Sequence, residues 1–193
     1  MFICVCVKQT PDSASVYVDP ITGHVDYERF VQVLNPADAC AVEAAVRLKE
    51  QVGGTIEVLT LGPKDAEGAL RAALAIGADS AVRLWNSYAD EWGPFTVAAA
   101  LAGYLQNETF IPDLVLCGDA SSEWSSGIVG PALAQQLDLP QVTSIAQLKI
   151  LEENEIPRFA QDDIAIDTQT RTGLSRTYRG GITPTHHRYW RFK

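Results

Sequence analysis

Asp113-Leu114-Val115-Leu116-Cys117-Gly118-Asp119-Ala120-Ser121-Ser122-Glu123-Trp124-Ser125-Ser126-Gly127 is the stretch that decides the fold. A short, continuous apolar run breaks at a glycine into a polar, serine-bearing loop, and a helical pattern follows from about Gly127 to Leu137. Unbroken hydrophobicity over so few residues is what a strand covered on both faces requires. Phe2 to Val7, Thr55 to Leu61 and Ser80 to Leu84 are also short and mostly continuous in hydrophobicity, and they alternate with helical periodicities. That alternation predicts an α/β fold: a doubly wound, mostly parallel, Rossmann-like sheet with crossover helices on both faces.

The helices carry their own signals. Asn35-Pro36-Ala37-Asp38 opens the first, with Asn35 expected as N-cap, Pro36 at the first helical position and Asp38 at the positive end of the dipole. Val42, Ala45, Val46 and Leu48 form its apolar stripe, and Glu43 can pair with Arg47 one turn on. A second helix follows Gly62-Pro63-Lys64-Asp65, is expected to bury Leu70, Ala73 and Leu74, and stops at Gly77. A third starts at Gly93-Pro94 and repeats Val97, Leu101, Tyr104 and Leu105. Between the first strand and first helix, Tyr17 to Tyr27 contains Asp19-Pro20 and Thr22-Gly23 between short β-prone runs, which predicts a hairpin.

Composition narrows the function. The 193 residues hold 15 basic and 24 acidic side chains, and a net charge of −9 gives nucleic-acid binding little support. No apolar stretch approaches the roughly 20 residues of a membrane span. The apolar start at Met1 reads as a strand rather than a leader, which points to a cytoplasmic protein or a matrix equivalent. Cys4, Cys6, Cys40 and Cys117 lack C-x-x-C spacing and read as buried free thiols, Cys4 and Cys6 on one strand face; no metal site is expected. The pattern dissolves after about Glu152, and Thr168 to Lys193 contains six basic residues and no acidic one. A tail of separate character is the natural reading.

Doubly wound sheets bind ligands outside the carboxyl ends of their strands, where chain order reverses. That edge collects Cys6 to Lys8, Asn35 to Asp38, Thr60 to Gly62 and the loop from Gly118 to Gly127. The loop runs into a helix whose first N–H groups are free, an arrangement suited to phosphate. A polar loop that caps its helix and binds nothing is the alternative. Gly118 and Gly127 would permit close backbone approach, and Trp124 could stack on a base or pin the loop to the core, pinning being the expected role. Neither G-x-G-x-x-G nor a Walker A loop is present, and no catalytic constellation appears.

Lys8-Gln9-Thr10-Pro11-Asp12, Leu34-Asn35-Pro36-Ala37-Asp38 with the helix that follows, Leu61-Gly62-Pro63, Leu70 to Asp79 and Asp113 to Gly118 together resemble the beta subunit of electron transfer flavoproteins, over about residues 2 to 150. Ala120 to Ser126 and Val129-Gly130-Pro131 look most like the branch associated with carnitine metabolism and nitrogen fixation. The resemblance implies an adenine-nucleotide-hydrolase-like fold in residues 1–155, and an electron carrier rather than an enzyme. It implies AMP or a second FAD in this chain, and an FAD-carrying alpha subunit as partner, with dehydrogenases or other redox proteins beyond it. Carried over residue by residue, the nucleotide contacts would be Cys6, Asn35, Pro36, Ala37, Asp38, Leu61, Gly118, Asp119, Ala120, Ser121, Ser122, Glu123, Trp124, Ser125, Ser126, Gly127, Ile128 and Val129. Residues 156–193 read as a divergent or truncated C-terminal tail. A free-standing adenine-nucleotide-binding module without electron transfer is the alternative function. A nucleotide hydrolase would want a Ser-Gly-Gly loop where Lys8-Gln9-Thr10-Pro11 stands.

Overall fold

The structure is a computed structural model that describes residues 1–25, 30–107, 111–150, 164–170, 175–180 and 190–191. Its first sheet is parallel, built from β1 (Phe2–Cys6), β4 (Thr55–Leu61), β5 (Ser80–Leu84) and β6 (Leu114–Cys117) in the order β5-β4-β1-β6. The chain steps outward from β1 to β4 to β5, then returns to the other side of β1 for β6. The order therefore reverses between β1 and β6, where Cys6 lies in register with Cys117.

Alternation along the strands sorts the side chains into two cores, because successive strand residues point to opposite faces. Ile3, Val5, Val7, Ile56 and Val58 meet Val42, Ala45 and Leu48 of α1 (Pro36–Val52) and Leu70 and Ala73 of α2 (Glu67–Ile76). On the opposite face Cys4, Cys6 and Leu59 meet Ala98, Leu101, Ala102 and Leu105 of α3 (Pro94–Asn107) and Leu133 of α4 (Val129–Gln136). Each fully buried Leu, Ile or Val contributes about 1.5–3 kcal/mol. The doubly wound architecture is as expected.

Local details follow the sequence with some corrections. Glu43 and Arg47 form the anticipated pair at 3.1 Å. Leu74 does not join the buried face of α2; it is exposed, and Ala69 takes that place beside Leu70 and Ala73. Cys4 and Cys6 are buried free thiols on one face, but Cys40 is exposed and Cys117 only half-buried on the edge strand. Val18 bridges Val25 in antiparallel fashion, and Asp19 accepts the N–H groups of Ile21 and Thr22, closing the hairpin tip. The remainder of that hairpin, residues 26 and 27, lies outside the described residues.

A short antiparallel ribbon of β2 (Gln9–Pro11) and β3 (Gln32–Leu34) carries the chain out of the sheet and back to α1. It closes at its base, where the Asn35 N–H donates to the Lys8 carbonyl at 2.9 Å. Beyond α4, β7 (Ile145–Ile150), β8 (Ile164–Thr170), β9 (Ser175–Gly180) and β10 (Trp190–Arg191) form a separate antiparallel sheet in the order β10-β9-β8-β7. The sequence pattern had not indicated any of these four strands. β7 reaches back to the body, with Leu148 against the core under α1. Among the described residues no helix is long and apolar enough to cross a membrane.

Candidate functional site

The carboxyl ends of β1 and β6 are held together by two side chains from the start of α1. Asp38, almost fully buried, accepts the Lys8 N–H through Oδ2 at 2.8 Å and the Gly118 N–H through Oδ1 at 3.1 Å. One carboxylate thus fixes the chain just beyond each flank of the switch point, two residues after β1 and one after β6. Asn35, also buried, donates through Nδ2 to the Ala120 carbonyl at 3.0 Å and accepts the Ser122 N–H at 3.2 Å. Its amide carries both a donor and an acceptor, which is what joining a carbonyl to an N–H two residues on demands.

This use of Asn35 corrects the capping expectation. Asn35 occupies the N-cap position of α1, but its side chain caps nothing, being committed to the loop. Ile128, at the same position in α4, has no cap bond either. The first-turn N–H groups of both helices have no intrahelical acceptor. Two helices therefore present their positive ends at one sheet edge.

Burial gives Asp38 an unusual character. Desolvation raises its pKa to about 6, against the lowering influence of the bonds from Lys8, Asn35 and Gly118 and of the Lys8 charge. Burial disfavours the ionised form, and here it wins over three hydrogen bonds. Beside it the Cys6 and Cys117 thiols touch. The Cys117 bond lowers the Cys6 pKa, but the Cys4 contact and burial outweigh it, so Cys6 lies well above the ordinary thiol value. Cys117 is raised by its bond to Cys6 and by burial. Protonated thiols are weak nucleophiles.

Gly118 is required by its neighbours. A Cβ there would stand 2.2 Å from Asp38 Oδ1 and 2.8 Å from the Ala37 carbonyl carbon and the Asp38 nitrogen. The close approach expected at this glycine is thus to the first turn of α1. Gly127 adopts φ +60°, and Ser125 also takes the left-handed region at φ +49°. Ser122 to Ser126 are all exposed, so the loop stands away from the sheet. Within it the Ser121 carbonyl accepts the Ser125 N–H at 2.9 Å. Trp124 is 78% exposed, which overturns the expectation that it pins the loop to the core. The ties to Asn35 perform that task.

Of the residues singled out from sequence, Cys6, Asn35, Asp38, Gly118, Ala120 and Ser122 are joined at the β1–β6 junction, with Ala37 packed against Gly118. Pro36 is exposed on the first turn of α1, and Leu61 stands one strand further along, at the end of β4. Asp119, Ser121, Glu123, Trp124, Ser125, Ser126 and Gly127 form the projecting loop, and Ile128 and Val129 start α4. Lys8 was missed. Its ammonium group pairs with the Glu123 carboxylate across the junction. The signal was available, since Lys8 is the sole basic residue in the edge segments 6–8, 35–38, 60–62 and 118–128.

Fold and edge together define a doubly wound α/β protein whose switch point gathers the starts of two helices and a projecting loop. Comparison sharpens this: the chain belongs to the electron transfer flavoprotein domain family, whose model matches residues 23–172. The chain is 39% identical over 163 residues to the electron transfer flavoprotein subunit beta of Thermoanaerobacterium thermosaccharolyticum, covering 84% of this chain and 62% of that one. It is 35% identical over 185 residues to protein FixA of Rhizobium meliloti, covering 94% and 61%. Against the Caffeyl-CoA reductase-Etf complex subunit CarD of Acetobacterium woodii it is 38% identical over 167 residues, covering 84% and 62%. The chain thus spans less than two thirds of the length of these curated relatives.

Proposed function

We propose that this chain is an electron transfer flavoprotein beta subunit that holds an adenine nucleotide, AMP or FAD, at the β1–β6 edge. In this reading it works beside a flavin-carrying alpha subunit, passing electrons from a dehydrogenase or other donor to a downstream acceptor. The observation that carries it is the convergence of two uncapped helix N-termini, α1 and α4, on a loop that projects from the switch point. Backbone N–H groups at such termini bind phosphate without a cationic side chain for each oxygen.

The donor set fits an adenylate. Asp38 and Asn35 are spent internally, on Lys8, Gly118, Ala120 and Ser122, so they shape the cradle rather than enter the ligand's first layer. The amides of Ile128, Val129 and Gly130 and the exposed serines of the loop would hold the phosphate. A flavin bound in the pair supplies the redox chemistry; this chain supplies geometry and electrostatics. A tightly held AMP would also stabilise the folded chain by mass action.

The test is extraction of small molecules from the denatured, purified complex, with the alpha partner sought by co-purification. The reading expects AMP or FAD in about one equivalent per chain and a larger flavin-bearing partner. Properly folded protein that takes up neither AMP nor FAD when both are supplied overturns it. A nucleotide-loaded chain that never captures a flavin-bearing partner would transfer the assignment to a free-standing binding module.

A further inference from the structure

We infer that Lys8 is the phosphate-recognising cation of this edge, and that Glu123 is its internal competitor, so that an adenylate must displace Glu123 to engage it. The inference rests on the adenylate reading and goes beyond it by naming the side chain that makes the edge prefer a phosphorylated ligand. The first support is charge. Segments 6–8, 35–38, 60–62 and 118–128 contain three carboxylates, Asp38, Asp119 and Glu123, and Lys8 is their one basic residue. Backbone amides alone would have to hold a phosphate against that local excess of negative charge, in a chain already at −9.

The second support is placement. The Lys8 main chain is fixed on both sides by α1 residues: its N–H donates to Asp38 and its carbonyl accepts from Asn35. Its side chain leaves that anchored point and crosses to the projecting loop, where the ammonium group meets Glu123. The ammonium therefore spans from the end of β1 to the loop that leads into α4.

The third support is exchangeability. The Lys8 and Glu123 side chains are 46% and 29% exposed, so the pair lies within reach of solvent. Ion pairs of that kind are weak, and a dianionic phosphate making charge-assisted bonds can exceed them. Glu123 therefore sets a threshold. A nucleoside without phosphate cannot displace it, whereas a nucleoside monophosphate can.

Calorimetric titration of the full chain with AMP and with adenosine, on the wild type, Lys8→Met and Glu123→Gln, tests this. The wild type is expected to bind AMP more tightly than adenosine. Lys8→Met should weaken AMP by about tenfold, the loss of one charge-assisted bond, and leave adenosine within about twofold. Glu123→Gln should tighten AMP about threefold by removing the competitor, with adenosine unchanged. Urea midpoints near the wild-type value establish that both variants fold, and Glu123→Gln carries the test should Lys8→Met not. A wild type that prefers AMP, with neither variant changing that preference, overturns the role of Lys8 and leaves the adenylate reading intact. A wild type that takes up neither compound overturns both.

Discussion

The two edges of the parallel sheet use the same device to opposite ends. At the amino edge Asp79, just before β5, accepts the Ile56 N–H at 2.8 Å and returns its own N–H to the Ile56 carbonyl at 2.9 Å. Asp113, just before β6, does the same with Phe2, both bonds at 2.7 Å. Lys49 reaches Asp79 at 2.5 Å, and this partner, with the Ile56 bond, lowers the Asp79 pKa. At the carboxyl edge Asp38 also accepts backbone N–H groups, yet burial drives its pKa up to about 6. A carboxylate that is solvated and paired stabilises its edge. One that is buried and under-compensated costs stability, and here it holds the chain after β1 and the chain after β6 in register.

The largest expected effect separates the edges by function rather than by stability. Gly54, beside β4 at the amino edge, has φ +124°, and a Cβ there would lie 1.9 Å from the Met1 carbonyl oxygen. At the carboxyl edge a Cβ on Gly118 would meet Asp38 Oδ1 at 2.2 Å and backbone at 2.8 Å. Gly54→Ala and Gly118→Ala should each lower stability by about 3 kcal/mol, since main chain must move in both. Only Gly118→Ala should abolish AMP uptake by the fraction that remains folded. Urea denaturation paired with AMP titration measures both. Equal loss of binding in the two variants would show that the carboxyl edge has no separate role.

The next effect concerns pH and has opposite signs at the two edges. A carboxyl group whose folded pKa is raised contributes stability that is complete below its unfolded value and lost as pH rises through the folded one. With Asp38 moving from 3.8 to about 6, the wild type should lose about 2 kcal/mol between pH 4.5 and 7 that Asp38→Asn does not lose. Asp79, with its pKa lowered, contributes stability above its unfolded value and loses it as pH falls through the folded one. Asp79→Asn should therefore remove part of the acid sensitivity, seen as a flatter dependence below about pH 4. Urea midpoints across the series decide it, and parallel curves for wild type and Asp38→Asn would show Asp38 to be solvated.

What the sequence disclosed followed the same division. β1, β4, β5 and β6 were legible because each is short and mostly apolar, and the helices between them carry stop and start residues. The antiparallel strands β8 and β9 were not legible. Ile164-Ala165-Ile166-Asp167-Thr168-Gln169-Thr170 and Ser175-Arg176-Thr177-Tyr178-Arg179-Gly180 are rich in β-formers but mostly polar, so hydropathy reads them as tail. At the site, topology alone drew together Cys6, Asn35 to Asp38 and the Gly118 loop. It could not tell that the Asn35 side chain, a good cap by residue type, is claimed by Ala120 and Ser122 from a distant part of the chain. Long-range partners of this kind leave no mark on local sequence.

Trp124 provides the smallest expected effect and the clearest separation of two accounts of the loop. A tryptophan that pinned the loop to the core would cost about 3–5 kcal/mol on truncation to alanine. At 78% exposure Trp124 has little buried area to lose, and the loop is already tied through Ala120 and Ser122. Trp124→Ala should therefore shift stability by no more than about 0.5 kcal/mol. The amino edge provides the control: Asp113→Ala removes a side-chain bond to the Phe2 N–H at 2.7 Å and should cost more than the far larger truncation at Trp124. A reversed order would place the indole against the body of the protein and return the loop to a purely structural role.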